Sequence, residues 1–138
     1  MKTFKRQTFV ILSLILLGIG LNGCTVNDEY GYPGGGATTW QLCDHTWQGY
    51  YSWDDGTLVD HQIFFYPDGR GYESLVCNYY GEVWEEYYNF YWHWANNLHN
   101  SIALEYPGGV VLYMDHVYID FDLFSCLLDG IFVTFRGL

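Results

Sequence analysis

Residues 84–94 read Trp84-Glu85-Glu86-Tyr87-Tyr88-Asn89-Phe90-Tyr91-Trp92-His93-Trp94. Side chains of a β-strand alternate between the two faces of a sheet. On that period Trp84, Tyr88, Phe90, Trp92 and Trp94 share one face, while Glu85, Tyr87, Asn89, Tyr91 and His93 share the other. The first set is an apolar core face, so this segment is read as a long strand with one side buried. The same alternation puts Ile102, Leu104 and Tyr106 inside, with Ser101, Ala103 and Glu105 outward. Near the end of the chain it puts Ile131, Val133 and Phe135 inside.

Working outward from this strand, runs rich in Tyr, Phe, Trp, Val and Ile recur every 8–12 residues or so, the spacing of a sandwich or barrel. No window between Trp40 and Leu138 shows helical spacing. Strands are predicted over 45–53, 58–66, 70–77, 84–94, 99–106, 109–116, 117–124 and 130–136. Asp54-Asp55-Gly56, Pro67-Asp68-Gly69, Asn96-Asn97, Pro107-Gly108-Gly109 and Asp129-Gly130 separate the runs. Asp, Asn and Gly tolerate the left-handed backbone of tight hairpins, so each connector joins antiparallel neighbours. The prediction is an all-β, antiparallel up-and-down barrel of about eight strands, closed so that no sheet edge is exposed. An eight-stranded barrel is just wide enough to be filled by side chains, and this many aromatics predict a closed lumen.

Several short motifs resemble the lipocalin-like domains of small Bacteroidota surface lipoproteins. They are Leu42 with Trp47, the segment Ile63-Phe64-Phe65-Tyr66-Pro67-Asp68-Gly69-Arg70-Gly71, Phe90-Tyr91-Trp92, and the tail from Tyr118-Ile119-Asp120 to Leu128-Asp129-Gly130. The resemblance covers most of residues 42–136. It implies a calycin-like barrel, and in larger members the barrel mouth takes small apolar molecules.

The beginning of the chain carries an address. Lys2, Lys5 and Arg6 precede an apolar run from Thr8 to Leu21, and small residues lead into Cys24. That run is shorter than the ~20 residues of a membrane span and fits the core of a secretory signal peptide. Leu21-Asn22-Gly23-Cys24 resembles the lipobox of bacterial lipoproteins, which implies cleavage after residue 23 and a lipid on Cys24. Residues 24–39 follow as a Gly-rich tether containing Pro33 and Gly34-Gly35-Gly36, and residues 40–138 form the barrel domain. Asp28-Glu29 resembles the acidic export signal of Bacteroidota surface lipoproteins, which implies the cell-surface side of the outer membrane rather than its periplasmic face.

Composition narrows the function. A chain that is 50% hydrophobic buries enough apolar surface to fold. Its 16 acids against five basic residues exclude a nucleic-acid partner, because phosphates demand a basic surface. Beyond the signal segment only Arg70 and Arg136 remain as cations, so the N-terminal lipid must supply membrane attachment. Nucleophile motifs such as GxSxG are missing, and Glu85-Glu86 point to opposite faces of their strand, so no enzyme activity is expected. His45, His61, His93, His99 and His116 show no ligand spacing, and no loop matches a calcium pattern, so neither metal nor cofactor is expected. For Cys43, Cys77 and Cys126 two readings stand level. One is a Cys43–Cys126 bridge between first and last strands; the other is three buried thiols acting as small hydrophobes.

The outward set Tyr87, Asn89, Tyr91 and His93 is the candidate ligand-binding strip. Sugars stack their apolar ring faces on aromatics while hydroxyls meet amides and carboxylates. The plainer reading is that cross-strand tyrosines stabilise the sheet, by roughly 0.2–1 kcal/mol per pair. The expected role is binding or surface interaction, with glycan capture on this face. The alternatives are a small apolar ligand inside the barrel, or a structural part that meets a protein partner.

Overall fold

The computed structural model describes residues 36–138. The expected signal peptide, Cys24 and the first part of the tether lie outside them. A helix α1 (Gly36–Cys43) leads into eight strands: β1 (Thr46–Ser52), β2 (Leu58–Phe65), β3 (Arg70–Tyr79), β4 (Glu82–Trp94), β5 (Ser101–Tyr106), β6 (Val110–Asp120), β7 (Leu123–Leu128) and β8 (Ile131–Gly137). Each strand pairs antiparallel with the next, and β8 returns to β1, giving a closed barrel in simple sequential order. The all-β up-and-down barrel read from the sequence is what the chain forms.

Alternation decides which residues fill it. Tyr88, Phe90 and Trp92 are buried, as are Ile102, Leu104, Tyr106, Val133 and Phe135. Aromatic rings interlock along the interior. Phe65 meets Trp92 edge-on at 5.6 Å between centroids, and Phe124 stacks on Phe135 at 5.2 Å. Gly71 makes room for this packing, because a Cβ there would lie 2.1 Å from the Phe90 ring. Ala103 departs from the expectation of exposure. It does lie on the outward side of β5, but it is flanked by His93 and Tyr113 and only 2% exposed.

Two boundaries differ from the sequence reading. The predicted strands 109–116 and 117–124 are one strand, β6, broken by a bulge between Asp115 and Tyr118. His116 takes φ 52° there, and the Val117 amide donates to the Asn100 carbonyl at 2.8 Å instead of to the ladder. The reversal comes later, at Phe121-Asp122, with Phe121 at φ 48°. β7 therefore covers Leu123–Leu128, a segment whose last four residues had no assignment. The other difference is α1, which takes up the last residues of the predicted tether and continues to Cys43. Eight residues are too few for a self-supporting helix. Packing holds this one, since Leu42 is fully buried and its carbonyl accepts the Trp47 indole N–H at 2.8 Å. Thr39 Oγ1 accepts the Trp94 indole N–H at 2.9 Å.

Candidate functional site

The β2–β3 register sets Phe64 opposite Tyr72, and the β3–β4 register sets Tyr72 opposite Asn89 and Arg70 opposite Tyr91. Arg70, Tyr72, Asn89 and Tyr91, with Tyr66 and Pro107, bound a depression of about 510 Å³ on the outer wall, floored by Phe90. A second depression of about 420 Å³ adjoins it, lined by Thr46, Gln62, Ile63, Phe64, Tyr66 and Tyr72. Tyr66 and Tyr72 border both, so the two form one strip across β1 to β4. Each volume lies within the ~300–1,000 Å³ usual for small-molecule sites. Phe64 and Tyr66 meet edge-on at 4.7 Å, and Tyr87 stacks on Tyr72 at 6.5 Å, extending the aromatic surface along β4.

The strip's charge is internally balanced. Arg70 lies 2.7 Å through Nη2 and 2.8 Å through Nε from Asp68 Oδ2, and its guanidinium lies 5.8 Å from the Tyr66 ring centroid. The hydrogen bond from Arg70 holds the Asp68 carboxyl below its ordinary range. The Tyr87 hydroxyl donates to the Glu85 carboxylate, and that bond pushes the phenol's pKa up. What the strip offers a ligand is therefore ring faces, phenol hydroxyls and the Asn89 amide, with little net charge.

Of the strip predicted from sequence, all four residues lie on the outer side of β4. Asn89 and Tyr91 line the larger depression, and Tyr87 joins through its stack on Tyr72. His93 does not line it; its Nδ1 lies 3.5 Å from Glu105 Oε1 on β5. Tyr66, Arg70 and Tyr72 were missed, because they belong to the strip only through the hairpin register. The signal was the Pro67-Asp68-Gly69 turn, which closes with the Tyr66 amide on the Arg70 carbonyl at 2.8 Å.

A second constellation lies inside the barrel. His61 and Glu73 are 1% and 2% exposed, and His61 Nε2 is 2.8 Å from Glu73 Oε2. The Tyr106 hydroxyl donates to Glu73 Oε1 at 2.6 Å, and the Tyr51 hydroxyl lies 3.1 Å from His61 Nδ1. A carboxylate only accepts, so the hydrogen between His61 and Glu73 sits on Nε2. Burial and the nearby Glu73 charge push the Tyr51 and Tyr106 phenols well above their ordinary pKa. Nearer the opposite end, Glu86 accepts from the Trp84 indole at 2.9 Å and the Tyr88 hydroxyl at 2.8 Å. Rings of the core surround the His61–Glu73 pair, with Phe135 against His61 at 5.4 Å and Phe90 against Tyr106 at 5.7 Å. The sequence reading had counted His61 among scattered histidines and passed over Glu73.

Cys43, Cys77 and Cys126 are each buried in the structure as thiols rather than in a disulfide. Burial pushes the Cys126 thiol up to about 12, which makes it a poor nucleophile. Among the described residues no cluster of His, Cys, Asp or Glu is arranged to hold a metal ion. No family profile, curated protein or solved structure matches this chain.

Proposed function

We propose that this chain is a lipid-anchored, lipocalin-like envelope protein that binds a neutral glycan along the outer strip of β1–β4. One observation carries the reading: two adjoining depressions share Tyr66 and Tyr72, with Asn89 and Tyr91 completing the larger one. Ring faces spaced along a groove suit successive sugar units, and the neighbouring amide and hydroxyls suit their polar edges. The paired state of Arg70 disfavours an anionic ligand, which would have to displace Asp68. The rival in which an apolar molecule occupies the barrel finds less support, because Trp47, Phe65, Trp92, Phe124 and Phe135 fill the interior.

Affinity electrophoresis tests the reading. The protein is run through gels containing β-glucan, xylan, galactomannan, α-mannan or pectin. Retardation is expected with at least one neutral polysaccharide and weakened about tenfold by Tyr72→Ala, the loss of one well-placed anchor. Mobility unchanged in every gel would remove the glycan reading and leave the protein-partner role.

A further inference from the structure

We propose that the barrel end carrying α1 seats on the surface of a lipid bilayer. β1, β3, β5 and β7 begin at this end, and β2, β4, β6 and β8 finish there. It therefore gathers α1, the 66–69 hairpin, the 95–100 loop, the Phe121-Asp122 turn and Leu138. Four large apolar side chains project from these segments: Trp40, Leu98, Phe121 and Leu138, which are 62%, 79%, 80% and 66% exposed. Backbone bonds tie the segments into one cap. The Leu138 amide donates to the Thr46 carbonyl at 2.8 Å, and the Gly137 amide to the Asp122 carbonyl at 2.7 Å. His99, beside Leu98, stacks on Trp94, whose indole in turn holds Thr39 of α1.

Large apolar residues this exposed, projecting from neighbouring loops rather than from strand faces, mark an interaction surface. The turns of the far end are Asp54-Asp55-Gly56, Tyr80-Gly81, Pro107-Gly108-Gly109 and Asp129-Gly130; Tyr80 is the large apolar side chain among them, and Leu58, Val83 and Phe132 are exposed on the strands beside them.

Two observations name the occupant. The 35 residues preceding Gly36 join the fold at this end, and they contain the apolar run Thr8–Leu21 and Cys24. Arg136, exposed near the end of β8, also lies toward this end, where headgroup phosphates would meet it. Trp, Phe and Leu side chains on a rim are suited to the boundary between headgroups and acyl chains. Asp44, Asp68, Asp120 and Asp122 at the same end oppose an anionic leaflet, so the surface is a zwitterionic one. This inference rests on the anchored reading only for how the end reaches the bilayer.

The test uses the full chain reconstituted with phosphatidylcholine vesicles, with and without brominated acyl chains. Flotation reports attachment, and bromine quenching of tryptophan reports contact. The expected result is flotation together with quenching that disappears in Trp40→Phe. Leu98→Asp with Phe121→Asp should lower the quenching by at least half, while Tyr80→Asp at the far end leaves it unchanged. Protein that floats with no bromine-dependent quenching of Trp40 overturns the docking and leaves the anchor standing. The same holds if Trp40 is shielded from acrylamide yet untouched by bromine, as cover by another protein or by residues 8–21 would produce. Protein that fails to float overturns both.

Discussion

Replacing Glu73 with leucine would leave two hydrogen-bond donors facing hydrocarbon. Glu73 is 2% exposed and accepts from Tyr106 at 2.6 Å and from His61 at 2.8 Å. Each buried donor stripped of its acceptor costs about 1–3 kcal/mol, so Glu73→Leu should cost roughly 2–6 kcal/mol. A domain of this size is stable by only about 5–15 kcal/mol, and each kcal/mol lowers its melting temperature by about 4–8 °C. The variant should therefore melt at least ~10 °C lower or arrive unfolded. The same physics makes the loss reversible by further substitution. Removing the orphaned donors as well, with His61→Leu and Tyr106→Phe, replaces a broken network by an apolar core and should regain most of the stability. The Tyr51 hydroxyl loses His61 Nδ1 in that background, an orphaned group that takes back part of the recovery. Urea unfolding followed by tryptophan fluorescence reads all three proteins. Two results would refute the argument: a Glu73→Leu cost below about 1 kcal/mol, or a triple variant less stable than the single one.

Other consequences can be checked in the same preparation. Tyr51, Tyr106 and Cys126 have pKa values raised by burial above the ordinary 10.0 and 9.0, so the folded state keeps protons that the unfolded chain releases. Stability should be whole below about pH 9 and then fall by about 1.4 kcal/mol per pH unit per group, giving cooperative alkaline unfolding before pH ~12. A barrel still folded at pH ~12 whose tyrosinate absorbance drops by one ionised phenol in Tyr51→Phe or in Tyr106→Phe would contradict this. Gly71→Ala pushes a methyl to 2.1 Å from the Phe90 ring and should cost about 1–3 kcal/mol, with Phe90→Leu beside it recovering part, as chemical unfolding will show. An aromatic-disulfide thiol reagent should find Cys43, Cys77 and Cys126 unreactive in the folded protein and all reactive once it is denatured without reductant; a missing pair would restore the bridge.

The barrel was legible because its residues obey one rule along most of their length. Trp84 to Trp94 alternates cleanly, and Asp-Gly and Pro-Asp-Gly turns mark the hairpins. The reading slipped where backbone conformation ran against residue type. His116 and Phe121 both take left-handed φ, at 52° and 48°; His tolerates that region without announcing it as Gly would, and Phe does not favour it. α1 was invisible for a different reason, since tertiary contacts at Thr39 and Leu42 hold it rather than helical propensity. The outer strip was half legible. Alternation alone puts Tyr87, Asn89, Tyr91 and His93 on one side of β4. Bringing Tyr66, Arg70 and Tyr72 to them, and separating His93, requires the register of three strands. Glu73 escaped because a carboxylate inside a barrel is credible only once His61 and Tyr106 are seen to meet it, 12 and 33 residues away in the chain.

The most direct test of a glycan strip on the outer wall is chemical-shift mapping of the isotopically labelled protein with soluble oligosaccharides of the neutral polysaccharides. The account predicts shifts concentrated at Tyr66, Tyr72, Asn89 and Tyr91 that vanish in Tyr72→Ala. Shifts centred on Trp84, Glu86 and Tyr88 at the barrel's far mouth, or none with any neutral oligosaccharide, would contradict it.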